Sequence, residues 1–124
     1  MRDPSNPVCR TISTLLSRIG DKWTVLVVTT LGEGPRRFNE LRREIPSVSQ
    51  RMLTLTLRNL ERDGLVSRTV TPSIPPRVDY ALTDLGHSLQ KPIEALAQWA
   101  IGNIETIHGA QANFDAEQDK AEAA

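Results

Sequence analysis

At 124 residues the chain is long enough for one domain with a substantial core. Its 39% apolar and 24% charged content is that of a globular protein. No apolar run approaches the roughly 18 residues of a membrane span, no secretory signal is visible, and one cysteine cannot form an intrachain disulfide. A cytoplasmic protein without membrane contact is therefore expected.

Fifteen basic residues balance fifteen acidic ones, but not evenly along the chain. Residues 35–78 carry nine arginines against four acids, a net charge of +5, whereas residues 79–124 are net −6. A basic segment is what phosphate binding needs, because affinity for nucleic acid comes largely from released counterions. Arginine in particular offers a planar fork suited to phosphate and guanine edges.

Residues 1–8 hold two prolines and no periodicity and read as a flexible arm. The folded domain is expected over residues 9–108. Ile12, Leu15, Leu16 and Ile19 recur at helical spacing, giving a first helix that Gly20 ends. Asp21 can cap a second helix, residues 22–31. Its Trp23, Val25, Leu26, Val27, Val28 and Leu31 leave almost no polar face, which predicts burial at the centre of the domain. After a turn at residues 32–35, residues 36–45 read as a short helix with Phe38, Leu41 and Ile45 on one side.

Pro46 ends that helix, and a short turn leads into residues 49–63. Ser49 is the expected N-cap and Gly64 the terminating residue. Leu53, Leu57 and Leu60 fall on one side, and Arg51, Thr54, Arg58 and Arg62 on the other. Two helices joined by so short a turn, the second with a basic outer face, form a helix-turn-helix. Alone, the second helix fits a solvated surface as well as a major groove.

The period then changes from 3.6 to 2. Residues 66–70 and 78–82 read as two strands, with Val78, Tyr80 and Leu82 on one face and Arg77, Asp79 and Ala81 on the other. The intervening residues 71–76 include three prolines, which stiffen the tip. A hairpin placed here is a wing. Thr83 can cap a last helix running to about residue 108, kinked at Pro92. Leu85, Leu89, Ile93, Leu96, Ala100 and Ile107 form one stripe, and Trp99, Ile101 and Ile104 a second apolar side. One small domain cannot cover both. A second copy of the chain is the simplest partner, paired through Ile93, Leu96, Trp99, Ala100, Ile104 and Ile107. Residues 109–124 carry no apolar stripe and are expected to be a disordered tail. The fold class is thus mainly α with a small β-hairpin wing.

Several stretches in this order resemble the HxlR-type family of bacterial winged helix-turn-helix transcriptional regulators, relatives of the MarR type. They are Ile19-Gly-Asp-Lys-Trp23, Gly34-Pro-Arg-Arg-Phe-Asn-Glu-Leu-Arg-Arg43, Ser49-Gln-Arg-Met-Leu-Thr54, Leu60-Glu-Arg-Asp-Gly-Leu-Val66, Pro75-Pro-Arg-Val-Asp-Tyr80 and Leu82-Thr-Asp-Leu-Gly86. The resemblance covers about residues 9–107. It implies a homodimer paired through its terminal helices, with two recognition helices in successive major grooves of an inverted-repeat promoter site. Family members often carry a cysteine that opens a Cys-Pro pair just before the first helix, and in some that cysteine senses oxidants or electrophiles. Here the order is Pro7-Val8-Cys9.

Base-edge contacts are expected from Gln50, Arg51, Thr54 and Arg58, with phosphate an equal alternative for Arg58 and Arg62. Phosphate contacts are expected from Ser49, Arg36, Arg37 and Asn39 at helix starts, and from Arg77 on the wing. Arg42 and Arg43 have Glu40 and Glu44 within ion-pairing reach on the same helix. Leu55 would meet either a thymine methyl or the wing. Cys9, beside Arg10 at a helix start, is either a redox switch or an inert thiol. His87 and His108 are isolated, so no metal site is expected. No phosphate loop and no nucleophile–His–carboxylate series occurs, so neither an enzyme nor a cofactor is expected. The expected partners are double-stranded DNA, a second copy of the chain and a small-molecule effector that the sequence does not identify.

Overall fold

The computed structural model describes residues 2–123. In chain order the elements are α1 (Pro7–Ile19), α2 (Lys22–Leu31), β1 (Arg36–Arg37), α3 (Phe38–Glu44), α4 (Gln50–Arg62), β2 (Val66–Thr71), β3 (Arg77–Leu82), α5 (Asp84–Ser88) and α6 (Gln90–Ala123). Gln90 closes a first compact unit and Lys91 opens a second.

Local chemistry sets the element ends in the first unit. The Asn6 side chain accepts hydrogen bonds from the backbone N–H groups of Val8 and Cys9 and starts α1 one turn earlier than the apolar stripe. Residues 3–6 form a turn in which Asp3 accepts two bonds from Ser5, and these hold its carboxyl below the ordinary value. Asp21 caps α2 through the N–H groups of Trp23 and Thr24. Ser49 caps α4 through the N–H of Met52 at 3.0 Å. Gly64, at φ 77°, ends α4. Leu65 N–H bonds to Leu60 C=O, and Gly64 N–H to Glu61 C=O, the pairing that closes a helix on a left-handed residue.

The core lies where α2, α3 and α4 meet the sheet. Val27, Val28, Leu31, Leu41, Ile45, Leu53, Leu57, Leu60 and Val66 are buried. Each buried Leu or Val contributes roughly 1.5–3 kcal/mol relative to exposure. Helix α2 is nevertheless not enclosed all round, because Leu26 is 42% exposed. On α1 only Cys9 is buried, and Leu15 and Leu16 face outward.

The wing is larger than a two-stranded hairpin. Three antiparallel strands run in the order β1-β3-β2. Arg36 pairs with Tyr80 and Arg37 with Asp79, while Arg68 pairs with Tyr80 from the other side. Pro35 cannot donate to a helical ladder, and Arg36 and Arg37 take extended geometry, so α3 begins only at Phe38. Burial along β3 does not alternate as its residues suggest: it rises from exposed Arg77 through half-buried Val78, Asp79, Tyr80 and Ala81 to buried Leu82.

The last helical region is two helices. Thr83 caps α5 through Gly86 N–H, the chain breaks at Leu89, and α6 starts at Gln90. Pro92 therefore lies at the third position of α6. Its missing N–H is no loss there, because first-turn donors have no intrahelical partner. Helix α6 continues to Ala123 through the residues expected to form a tail. Five alanines with Glu, Gln and Lys make this a strong helix-forming stretch without any apolar stripe. Considered by itself, α6 buries none of its side chains, and Leu96, Trp99, Ile101, Ile104 and Phe114 are exposed. Among the described residues no helix is long and apolar enough to cross a membrane.

Gly86 marks the tightest approach of a glycine to backbone atoms in the first unit. An alanine Cβ there would fall on the Leu65 carbonyl oxygen, which already accepts the Thr83 N–H at 3.1 Å. Gly86→Ala is expected to destabilise the fold by about 1–3 kcal/mol, read as a lower urea midpoint with an unchanged slope. An unchanged midpoint would show that the approach of α5 to Leu65 is loose.

Candidate nucleic-acid interface

Helix α4 is held by its inner side. Leu53, Leu57 and Leu60 are each 1% exposed or less, and α4 packs on α2 and β2. The helical period then forces Gln50, Arg51, Thr54 and Arg58 outward, and all four are exposed. The Thr54 hydroxyl donates to the Gln50 carbonyl at 2.8 Å. Its proton is thus occupied, and towards a base edge it offers lone pairs and a methyl group.

The C-terminus of α4 is tied to α1. Arg18 donates to the Asn59 carbonyl at 3.2 Å and to Asp63 at 2.7 Å. A cation at a helix C-terminus satisfies its free carbonyls and complements the helix dipole. This link joins residues 45 apart in sequence.

Arg37, Asn39, Arg43, Thr71, Ser73 and Arg77 line one groove of about 970 Å³ between α3 and the wing tip. Glu40 also lines it, and three guanidinium groups against that one carboxylate favour an anion. Arg77 is partly neutralised by Asp79, at 3.0 Å, but half of its side chain stays exposed. Glu40 accepts the Arg37 backbone N–H, and Glu44 bonds Arg36. Among the described residues Arg42 and Arg43 therefore make no ion pair, contrary to the intrahelical pairing that their spacing allows. Arg43 joins the basic surface as a residue that the sequence leaves ambiguous.

Arg36 is the clear correction. It lies on a strand, not at a helix start, and its side chain is only 17% exposed. Its guanidinium bonds Glu44 at 2.7 Å, Glu33 at 3.4 Å and the carbonyls of Gly34 and Pro35. The bond from Glu44 also holds its pKa above the ordinary value. A guanidinium so occupied has little left to offer a phosphate.

Leu55 is also placed differently. It lines a groove with Thr14, Ser17 and Arg18 of α1, away from the wing. Arg62 likewise lies beside Arg10 and Arg18 of α1, whereas Arg58 faces the wing. Ser49 stands exposed at the start of α4. Cys9 is 8% exposed, in the first turn of α1.

A helix-turn-helix with a basic, outward second helix and a three-stranded wing defines a DNA-binding transcriptional regulator of the winged-helix class. The sequence signature of the HxlR-like helix-turn-helix family matches residues 18–108, and the chain belongs to that family. An HTH-type transcriptional regulator of Methanothermobacter thermautotrophicus is 48% identical over 88 residues, 71% of this chain and 67% of the relative. The redox regulator HypR in its reduced form matches with a TM-score of 0.72 at 39% identity, over 80% of this chain and 98% of HypR. The reduced form of the transcriptional regulator YodB from B. subtilis matches with a TM-score of 0.67 at 36% identity, over 77% of this chain and 90% of YodB.

Proposed function

We propose that the protein is a sequence-specific regulator that binds an inverted-repeat promoter site as a homodimer. The observation that carries this reading is the division of α4: three sealed leucines opposite Gln50, Arg51, Thr54 and Arg58, which are exposed. Arg51 lies in the first turn of α4, the part of a recognition helix that usually meets base edges. Arg37, Asn39 and Arg77 act on the flanking phosphates, together with Ser49 at the helix start. Arg36 leaves this set because its donors are occupied.

The homodimer is supported by apolar side chains that α6 does not bury by itself. Leu96, Trp99, Ile104 and Ile107 on α6 are each at least 36% exposed. Ile93 and Ala100 lie on the same helix. A second copy would cover such a surface and set two recognition helices about one DNA turn apart, roughly 34–36 Å. An effector that rotates the two halves would then break the match to the grooves.

Three substitutions test the DNA assignment, each with duplex affinity measured as a function of salt. Arg51→Ala loses the preference for the selected site over random duplex, by roughly 1–3 kcal/mol for each bidentate pair removed. Arg37→Ala weakens binding to all duplexes about equally and lowers the salt slope by about 1. Arg36→Ala reduces stability but leaves that slope unchanged. Unaltered specificity in Arg51→Ala would refute the recognition-helix assignment.

Thiol regulation is the second part of the reading, favoured by the likeness to the redox regulator HypR. Cys9 sits in the first turn of α1, next to Arg10 and at the positive end of the helix dipole, with 8% of its surface exposed. In an oxidant titration the wild type is expected to lose operator affinity and Cys9→Ser to keep it. An equal response in both would remove Cys9 from the mechanism.

A further inference from the structure

The inner face of the wing carries two arginines in equivalent positions. Tyr80 on the central strand β3 pairs with Arg36 of β1 on one side and with Arg68 of β2 on the other. Directly paired residues in a sheet share a face. Arg36 is neutralised from within by Glu44 and Glu33. Arg68 is not: among the described residues it makes no hydrogen bond and no ion pair. The same holds for Arg58, which approaches from α4.

These side chains meet in a cleft of about 370 Å³ between α4 and the wing, lined by Thr54, Leu57, Arg58, Glu61, Arg68 and Tyr80. Leu57, 1% exposed, lies beneath the cleft and closes its floor. Arg58 and Arg68 are exposed above it, and guanidinium groups without a carboxylate partner are free to bind an anion. Glu61 is the one carboxylate in the lining, and it pairs with neither arginine. Two guanidinium groups and one carboxylate give the cleft a formal charge of +1. That matches a phosphodiester, which carries one negative charge. The donors are the two guanidinium forks and the Tyr80 phenol, since the Thr54 proton is held by the Gln50 carbonyl.

We infer that Arg58, Arg68 and Tyr80 form a phosphate-binding cleft that takes one backbone phosphate of the duplex in each half-site. This rests on the DNA-binding reading above and adds Arg68 and Tyr80 to it. The bound phosphate links the recognition helix to the base of the wing, so it fixes register without reading a base.

The test is duplex binding by the full-length protein between 50 and 200 mM salt, on DNA selected with the wild type. Arg68→Gln lowers the slope of log affinity against log salt by about 0.9 for each phosphate left unneutralised, and it weakens selected and random duplexes alike. Arg68→Lys keeps the charge and most of the slope. Glu61→Gln acts in the opposite direction and strengthens binding, which a folding defect would not produce. A single methylphosphonate in each half-site of the DNA reproduces the weakening in the wild type and adds nothing in Arg68→Gln. Circular dichroism of each variant reports the folded fraction.

A wild-type slope in Arg68→Gln, with the same response to every methylphosphonate position, overturns the cleft and leaves the DNA reading intact. So does saturable protection of the cleft by inorganic phosphate with no change in slope, which would assign it to a free anion. Salt-independent or absent duplex binding by the wild type overturns both.

Discussion

Leu53, Leu57 and Leu60 seal one side of α4 into the core, and the helical period turns that packing into an exposed row of polar side chains. The two faces are one constraint. Moving the buried row by one residue, roughly 100°, would carry Arg51 and Arg58 towards α2 and β2. Three buried leucines outweigh any preference of the exposed side, so the core decides where the guanidinium groups point. The ends of α4 complete the fixation. Ser49 closes the first turn, Gly64 the last, and Arg18 holds the final carbonyls from α1.

Charge is then distributed by local pairing, not by totals. The chain has no net charge, yet its arginines differ in how they are paired. Arg18 and Arg36 face carboxylates at 2.7 Å and serve the fold. Arg42, Arg43, Arg58 and Arg68 have no such partner among the described residues. Arg77 lies between, paired with Asp79 but half exposed. Six of the acids that balance the total lie in α6, a helix of the second unit.

The elements with strong periodicity are legible in the residues: α2 and α4, and the existence of β3 though not a difference in burial between its faces. So are the caps at Asp21 and Ser49, because a side-chain oxygen before an apolar period has a direct structural use. β1 is not legible. Two residues carry no period, and Arg36-Arg37 before Phe38 looks like a helix start until Tyr80 and Asp79 are seen to pair with it. The role of Arg36 is hidden for a related reason, since the Glu44 that occupies it reaches it only through the fold. The cleft around Arg68 is equally out of reach, because it needs β2, β3 and α4 in register. Pro92 misleads because its effect depends on its distance from a helix start, and the break at Leu89 has no strong signal of its own. The extension of α6 to Ala123 has a signal in its alanines, but without an apolar stripe those residues look like a tail.

The central claim is that the outer face of α4 and the adjoining basic surface grip duplex DNA. The most direct measurement is the affinity of the wild-type protein for a duplex chosen from a random-sequence pool, followed from 50 to 200 mM salt beside an unselected duplex of equal length. A grip on DNA by α4 and its basic surroundings predicts a clear preference for the selected duplex and a steep loss of affinity with salt on both, with several counterions released per complex. Equal affinities with a flat salt response would contradict it.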